Sequence, residues 1–212
     1  MEFKYVHINS VSVSRGVDGP MELISESREE RRFFIRTTFS IIVACAAAGV
    51  IGSDGKMPWL IPNDLEHFRK MTMDHTVVMG STTFDSLNGK LLRGREKIVL
   101  SRDPEAFYAK RPEVRDRKDV RVVTFTTIEE FRKVVDQIDE VFIMGGEEIY
   151  RLFMPYTDNI YMTEIYGAFG GDRFFPAWCE NFKLVEKVMQ DRVPMQTPHA
   201  FTKWVRRGEK DV

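Results

Sequence analysis

Asp64 is the residue whose surroundings most favour acid chemistry on a ligand. It lies within residues 57–68, among tryptophan, phenylalanine and aliphatic side chains that would solvate a carboxylate poorly. Such a carboxylate takes up a proton or accepts hydrogen bonds, and either outcome makes it a candidate for binding or protonating a ligand. A helix over 63–73 would place Asp64, Phe68 and Met71 on one face. The alternative is an acid that only stabilises the positive end of that helix.

Two predicted strands each run into glycine and then into a predicted helix. Gly145 and Gly146 lack side chains, so a ligand could approach their backbone, and the helix start that follows suits a pyrophosphate. A plain tight turn is the alternative. Gly80 precedes hydroxyl groups that could cap a helix or hold a phosphate, namely Ser81, Thr82 and Thr83. Open α/β sheets bind ligands at the carboxyl ends of their strands, where both turns would lie.

Two arginines flank another predicted strand. Arg95 precedes this strand and Arg102 follows it. Because the length of a strand separates them, they would bind different anions. The alternative is that both are isolated surface arginines, which would indicate no binding site.

The elements that must position these residues alternate along the chain. Apolar runs predict strands over 41–46, 76–79, 97–100, 120–125, 140–144, 159–165, 182–189 and 200–206. Amphipathic stretches predict helices over 63–73, 82–87, 128–137 and 147–153. The pattern predicts an α/β fold: a single domain with a mostly parallel central sheet flanked by helices and a C-terminal antiparallel hairpin.

Composition limits the classes of partner. The chain has 212 residues, 43% of them hydrophobic, and a net charge of −1, which suits one catalytic domain plus an appendage. This charge indicates neither nucleic acid nor a membrane surface as a partner, and so favours a small molecule. Cys45 and Cys179 stand far apart without His or Cys at ligand spacing. They indicate no metal site, no disulfide framework and a cytoplasmic location.

The N-terminal region differs from the rest. Residues 1–38 combine a turn-rich stretch with a run of charges, and we interpret them as an extension, flexible or partly ordered, before a catalytic domain over 39–212. The apolar run over 39–51 superficially resembles a signal peptide. It is too short to span a bilayer and follows several glutamates, so a buried strand is the better interpretation.

In this order and spacing the motifs resemble those of the dihydrofolate reductase family, over residues 40–206. The matching segments are Val50-Ile51-Gly52, Met57-Pro58-Trp59, Pro62-x-Asp64-Leu65-x-x-Phe68, Val78-Met79-Gly80-x-x-Thr83-Phe84, Gly94-Arg95, Met144-Gly145-Gly146 with Ile149-Tyr150, and Gly171-Asp172-x-x-Phe175-Pro176. The resemblance implies NADPH-dependent reduction of 7,8-dihydrofolate to 5,6,7,8-tetrahydrofolate. This reaction supports one-carbon metabolism and thymidylate synthesis.

The resemblance also implies residue roles. Asp64 would pair with the amidine-like edge of the pterin, Trp59 would hold an ordered water, and Met57 would belong to a mobile loop over 49–60. The implied substrate-binding residues are Ile42, Ala44, Leu65, Phe68, Leu92, Arg95 for the α-carboxylate, and Thr163 as the partner of Asp64. The implied cofactor-binding residues are Ala44, Ile51, Gly52, Gly80, Ser81, Thr82, Thr83, Leu100, Ser101, Arg102, Met144, Gly145, Gly146, Glu147, Ile149 and Tyr150.

The chain departs from the family pattern on the cofactor side. Ser81 stands where the family usually carries an arginine or lysine, and Glu148 stands where some relatives have an arginine. Arg102 resembles the basic residue that many members use for the 2′-phosphate. The expected cofactor is NADPH. These departures exclude the use of NADH less firmly than is usual in the family.

Expected partners are dihydrofolate and antifolates such as methotrexate or trimethoprim, with no nucleic acid and no membrane. A monomer is expected, and an oligomer stays open. Two other readings remain: the reductase of riboflavin synthesis, which would not need Trp59 and Asp64 together, and a reductase-like domain that serves an assembly through its extension. The intact Asp64, Trp59 and Arg95 argue against an inactive site.

Overall fold

The computed structural model describes residues 4–7, 32–87, 92–190 and 197–208. Its strands are β1 (Lys4–His7), β2 (Arg32–Ile35), β3 (Thr38–Ala46), β4 (Val50–Gly52), β5 (Thr76–Gly80), β6 (Glu96–Leu100), β7 (Val120–Val123), β8 (Glu140–Ile143), β9 (Asn159–Ile165), β10 (Arg173–Phe174), β11 (Phe182–Met189) and β12 (His199–Arg206). Its α-helices are α1 (Pro62–Thr72), α2 (Ser81–Ser86), α3 (Pro104–Lys110), α4 (Ile128–Val134) and α5 (Glu147–Phe153). Short 3-10 turns lie at Ala47–Gly49, Pro112–Val114, Met154–Tyr156 and Cys179–Asn181.

Eight strands form the central sheet, in the order β11-β12-β9-β3-β8-β5-β6-β7. The neighbours from β9 to β7 are parallel, whereas β12 runs antiparallel to both β9 and β11. Helical crossovers join parallel strands, and the last two strands form a hairpin, so the predicted fold class is confirmed. Two small antiparallel pairs, β1 with β2 and β4 with β10, lie outside this sheet.

Strand β3 is buried on both faces, as expected of a central parallel strand. Ile41 packs in a cluster that includes Phe131 of α4 and Phe153 of α5. Ile42 packs in a second cluster, which includes Phe107 of α3 and reaches Phe68 of α1. Because successive strand residues point to opposite faces, α4 and α5 cover one face, and α1 and α3 cover the other.

Several predicted boundaries were wrong by a few residues. Helix α1 begins at Pro62 instead of Asn63, since Pro at the first helical position needs no N–H partner. Helix α2 begins at Ser81 rather than Thr82. Helix α4 ends at Val134 and not at Gln137, which has a left-handed φ of 70°. The sequence interpretation also missed β1, β2, β4, β10 and α3. Within the described ranges, none of the helices has the length and apolar character needed to cross a bilayer.

Candidate active site

The start of α1 holds Asp64 in a buried position. Ile61 is extended and almost fully buried, and its carbonyl oxygen accepts a hydrogen bond from the Asp64 N–H at 3.1 Å. This arrangement turns the first helical turn towards the sheet and leaves Asp64 only 7% exposed. Thr163 of β9 donates its hydroxyl proton to Asp64 Oδ1 at 2.6 Å. The predicted pairing of these two residues is present in the structure.

Burial controls the charge of this carboxyl group. Removal from water raises the pKa of Asp64 above its usual value, while the Thr163 hydrogen bond and the charge of His199 lower it less strongly. No second described residue donates a hydrogen bond to the carboxylate, which can accept about four. The group therefore retains capacity for two parallel donors on a ligand.

Apolar side chains surround Asp64 on the sheet side. Ile42 of β3 lies in one cluster with the predicted slot residues Phe68 and Leu92. Ala44, which is opposite Thr163 in the β3–β9 register, packs with a third cluster, which contains Trp59. Leu65 and Met57 belong to neither cluster and are 46% and 49% exposed. Ile42, Phe68 and Leu92 thus pack together, Ala44 packs with Trp59, and Leu65 and Met57 are exposed.

Arg95 is held against the C-terminal part of α1. Its Nε donates to Thr72 Oγ1 at 2.7 Å, and its Nη1 and Nη2 donate at 3.0 Å to the carbonyl oxygens of Arg93 and Arg69. These bonds use three of the five guanidinium N–H groups and leave one on each terminal nitrogen. The guanidinium also lies 5.7 Å from the ring centre of Phe68. A fixed two-donor fork therefore stands beside the apolar slot.

The two glycine turns meet at the carboxyl ends of adjacent strands. The Gly80 N–H donates to the Gly145 carbonyl oxygen at 2.8 Å, and the Met144 N–H donates to the Val78 carbonyl oxygen at 2.9 Å. Helix α2 follows the first turn and α5 follows the second, with Gly80 and Gly146 as their N-cap residues. Neither helix start has a side-chain cap within the described residues. The capping role considered for Ser81, Thr82 and Thr83 is therefore wrong.

The glycines also have a packing reason that the sequence interpretation did not include. Gly145 has a φ of 102°, and a Cβ there would stand 2.8 Å from the ring of Tyr150. A Cβ on Gly80 would stand 3.1 Å from Ile149. Because these two glycines have no side chains, α5 can pack closely against the sheet. The same lack of side chains would let a ligand approach their backbone.

Two predicted cofactor residues already have protein partners. Tyr150 is buried and donates its hydroxyl proton to the Ile42 carbonyl oxygen at 2.9 Å, so it ties α5 to β3. Burial raises the pKa of Tyr150 well above its usual value. Glu147 accepts a hydrogen bond from the Phe174 N–H at 2.9 Å and pairs with Arg151. These bonds lower the pKa of Glu147 and fix β10 beside α5.

The remaining predicted cofactor residues line the same edge. Leu100 ends β6, and the Ser101 N–H donates to Val123 at 3.0 Å. Arg102 is almost fully exposed, and its Nη2 lies 3.6 Å from a carboxylate oxygen of Glu148. Ile51 and Gly52 lie in β4, which pairs with β10. The segment predicted as a loop over 49–60 therefore contains a strand at 50–52, and Leu60 at its end is 76% exposed.

Sequence reasoning missed two residues that carry buried polar atoms. Three buried polar atoms lack a hydrogen-bond partner within the described residues: Trp59 Nε1, Asn63 Oδ1 and His199 Nε2. Trp59 was predicted as a site residue, but Asn63 and His199 were not. The sequence of β12 also contains Thr202, Lys203 and Arg206, so His199 does not stand out there as a buried residue.

A parallel sheet with paired glycine turns at its carboxyl edge, together with a buried carboxylate among apolar side chains, is the arrangement expected of an enzyme that binds a dinucleotide and a small substrate. The profile described as dihydrofolate reductase matches residues 38–206. The chain therefore belongs to the dihydrofolate reductase family.

Individual relatives agree with this assignment. The dihydrofolate reductase of Bacillus subtilis (strain 168) is 37% identical over 147 residues, which cover 69% of this chain and 80% of that protein. The Staphylococcus aureus (strain MSSA476) enzyme is 33% identical over 172 residues, covering 80% and 99%. A solved structure of Enterococcus faecalis dihydrofolate reductase, complexed with NADP(H) and RAB-propyl, superposes with a TM-score of 0.70 at 28% identity. It covers 82% of this chain and 98% of that one.

Proposed function

We infer that this chain reduces 7,8-dihydrofolate to 5,6,7,8-tetrahydrofolate with NADPH. The observation that carries this conclusion is the buried Asp64 carboxylate, which has one hydroxyl partner and spare acceptor capacity at an apolar slot. A pterin offers a ring N–H and an adjacent amino group in a parallel arrangement. The two donors match a carboxylate that a threonine holds in place.

We propose that Asp64 orients and polarises the pterin, and that water delivers the proton to N5. Thr163 fixes one oxygen of the carboxylate, which limits its rotation and directs the other oxygen towards the ring. A negative charge beside the ring stabilises the protonated pterin. Trp59 supports this arrangement, since its buried Nε1 can donate to a water between protein and pterin.

We propose that Arg95 binds the first carboxylate of the folate tail. Its position beside Phe68, its burial and its two remaining N–H groups support this role. A rigid fork suits a carboxylate better than a lysine would, because both N–H groups reach the two oxygens at once. The slot between Asp64 and Arg95 is then lined by Ile42, Phe68 and Leu92, with Leu65 and Met57 at the rim.

The residues at the carboxyl edge fit a dinucleotide. When bound, NADPH supplies the hydride at C4 of its nicotinamide. The uncapped N–H groups at the starts of α2 and α5, with the hydroxyl groups of residues 81–83, suit the pyrophosphate. Ala44 of β3 and the two glycines are proposed to border the nicotinamide. Tyr150 and Glu147 act through packing and through β10, not through contact by their polar groups.

Arg102 is proposed to bind the 2′-phosphate that distinguishes NADPH from NADH. Its guanidinium is exposed at the end of β6, next to the carboxylate of Glu148. Glu148 competes with the phosphate for this cation and repels the phosphate directly. Replacing Arg102 with Ala should weaken NADPH binding by about threefold to tenfold and leave NADH binding nearly unchanged, as expected for an exposed charge pair.

Binding titrations of both cofactors test this assignment without turnover. The matched variant Glu148→Gln should strengthen NADPH binding by a similar factor, because it removes the competitor and the repulsion. An unchanged ratio of NADPH to NADH affinity in both variants would remove Arg102 from the phosphate site.

The overall proposal is tested by NADPH oxidation in the presence of dihydrofolate, followed by titration with methotrexate. Turnover that stoichiometric methotrexate abolishes is expected. Oxidation of NADPH with the riboflavin precursor instead, or no turnover and no inhibitor binding, would contradict the proposal. We also propose that the protein is cytoplasmic, that it is a monomer, and that it binds antifolates such as trimethoprim. Sedimentation analysis of the purified chain tests the monomer by measuring its mass.

A further inference from the structure

The indole ring of Trp59 is held in place by packing and not by a hydrogen bond. The residue is only 8% exposed, and its Nε1 has no partner in the part of the chain that the structure describes. Trp59 also lies in the irregular stretch between β4 and α1, so no strand or helix fixes its backbone. The direction of Nε1 therefore depends on the side chains around the ring. The role proposed above requires that Nε1 faces a water beside the pterin.

Phe169 is the aromatic neighbour of Trp59 among the described residues. The two ring centres are 5.3 Å apart and the ring planes meet at 67°, which is an edge-to-face contact. The other large side chains of this cluster are aliphatic, namely Val50, Ile61 and Ile165. Aliphatic side chains fill the space around a ring, whereas an edge-to-face pair favours a limited range of angles between the rings. We therefore expect Phe169 to set the angle of the indole.

The backbone on both sides of Phe169 is bonded to β4 and to the turn before it. On one side, the Gly167 carbonyl oxygen accepts from the Ala47 N–H at 3.4 Å. On the other side, the Asp172 N–H donates to the Gly52 carbonyl oxygen at 3.0 Å. A Cβ on Gly167 would stand 2.8 Å from the ring of Phe169, so the ring occupies space that a side chain would otherwise fill. These contacts give the ring of Phe169 a fixed place.

We propose that Phe169 is a positioning residue for the reaction. Its ring holds the indole of Trp59 at the angle at which Nε1 faces the water that delivers the proton to N5 of the pterin. Phe169 acts through Trp59 and needs no contact of its own with pterin or cofactor. This inference rests on the role proposed for Trp59. The order of the indole is measurable without substrate, so the failure of one proposal can be told from the failure of the other.

Nitrogen-15 NMR of the indole N–H groups, on the full chain without ligands, tests the packing. The chain has three tryptophans, and Trp59→Phe identifies the Trp59 signal by its loss. In Phe169→Leu the Trp59 signal should broaden or its order parameter should fall, because leucine fills space without fixing the ring angle. Trp178 and Trp204 pack against each other with ring centres 4.6 Å apart. Their signals should stay unchanged and show that the variant is folded.

The rate of hydride transfer tests the consequence for the reaction. Phe169→Leu should slow this rate about threefold to tenfold at pH 7, the scale of one aromatic contact. The loss should shrink as the pH falls, because solution protons then replace the positioned water, and NADPH affinity should stay unchanged. Phe169→Tyr keeps the ring and should stay within about twofold of the wild type. The matched control is Phe174→Leu, which changes an exposed phenylalanine outside the Trp59 cluster and should also stay within about twofold.

A double-mutant cycle shows whether Phe169 acts through Trp59. In the Trp59→Phe background, Phe169→Leu should cause no further loss of rate, because the group that it positions is already absent. An equal loss with and without Trp59, or a Trp59 indole that is as ordered in Phe169→Leu as in the wild type, would overturn the proposal. A wild-type rate in Trp59→Phe would refute the role of Trp59 and this inference with it. The NMR result identifies that case, since the indole would still lose order in Phe169→Leu.

Discussion

At the scale of single residues, Asp64 combines a proposed function with a cost in stability. Its usual pKa is 3.8, and burial raises the pKa in the folded chain. The folded state therefore binds more protons than the unfolded state between these two values, and stability falls as the pH rises through this range. Above the folded pKa the full penalty of the buried charge remains. Sites that hold a charge for chemistry commonly carry such a cost.

Replacing Asp64 with Asn should therefore stabilise the fold while it impairs the reaction. The variant keeps an oxygen that can accept from Thr163 but carries no charge. At pH 7 its free energy of unfolding should exceed that of the wild type by about 1 kcal/mol, the usual scale for one buried polar group. The advantage should shrink as the pH falls through the raised pKa of Asp64, because the wild-type carboxyl group then also becomes neutral. Urea unfolding at several pH values measures this difference in the free energy of unfolding between the variant and the wild type. If the variant is less stable than the wild type at every pH, the expected stabilising effect of removing the charge is contradicted.

At the scale of elements, an ion pair between a buried cation and a partly exposed carboxylate joins β6 to the chain that leads into β7. Lys97 is 3% exposed, and its Nζ lies 2.5 Å from Asp119 Oδ2. Arg117 also donates to this carboxylate, and the two cations hold the pKa of Asp119 far below its usual 3.8. A lowered pKa means that the pair stabilises the fold above the unfolded pKa and that this contribution is lost as the pH falls below it.

Asp119→Ala should leave the buried ammonium group without its carboxylate. Because that carboxylate is 44% exposed and water screens part of its charge, the loss of stability should be about 1 to 2 kcal/mol at pH 7. The control is Glu105→Ala, which breaks the exposed pair with Arg115 at 2.7 Å. This change should alter stability by less than about 1 kcal/mol. Thermal and urea unfolding compare the two variants. Equal effects would mean that burial of Lys97 does not determine the strength of the pair.

The sequence predicted the longer elements well because their side-chain patterns reflect burial. Strand β3 reads as a continuous apolar run, and α1 repeats its apolar side chains with helical period. Strands β4 and β10 have three and two residues, too few to show any period. The missed helix α3 did carry a signal: Asp103 caps it, with Ala106 N–H donating to Oδ1 at 2.9 Å, and Pro104 follows.

The site was predictable only in part, for a physical reason. Motif spacing led to Asp64 and the glycine turns, and the family resemblance led to Thr163. The structure pairs Thr163 with Asp64 and brings the two glycine turns to the carboxyl ends of adjacent strands. The contact between α5 and Gly80, and the contact between Phe169 and Trp59, depend on how distant segments of the chain pack together. Neither can be read from local sequence, since several elements lie between the partners along the chain.

At the scale of the whole molecule, we propose that residues 1–38 form an extension to a catalytic domain over 39–212. Within the described residues, Arg36 pairs with Asp158 at 2.8 Å, and the Phe39 N–H donates to the same carboxylate at 2.9 Å. Chain removal should therefore stop before Arg36. A variant that lacks residues 1–31 should keep kcat within about twofold and unfold at a similar temperature. Loss of folding, or a tenfold lower kcat, would make the extension part of the catalytic unit.

The most direct test of Asp64 as the pterin anchor is the rate of hydride transfer in the wild type and in Asp64→Asn. Stopped-flow mixing with NADPH and dihydrofolate measures this rate across a range of pH. We expect a loss of about a hundredfold or more in the variant at pH 7. The loss should shrink as the pH falls, since solution protons then supply the protonated pterin that the carboxylate no longer stabilises. A variant that transfers hydride at the wild-type rate near neutral pH would contradict the assignment of Asp64 as the pterin anchor.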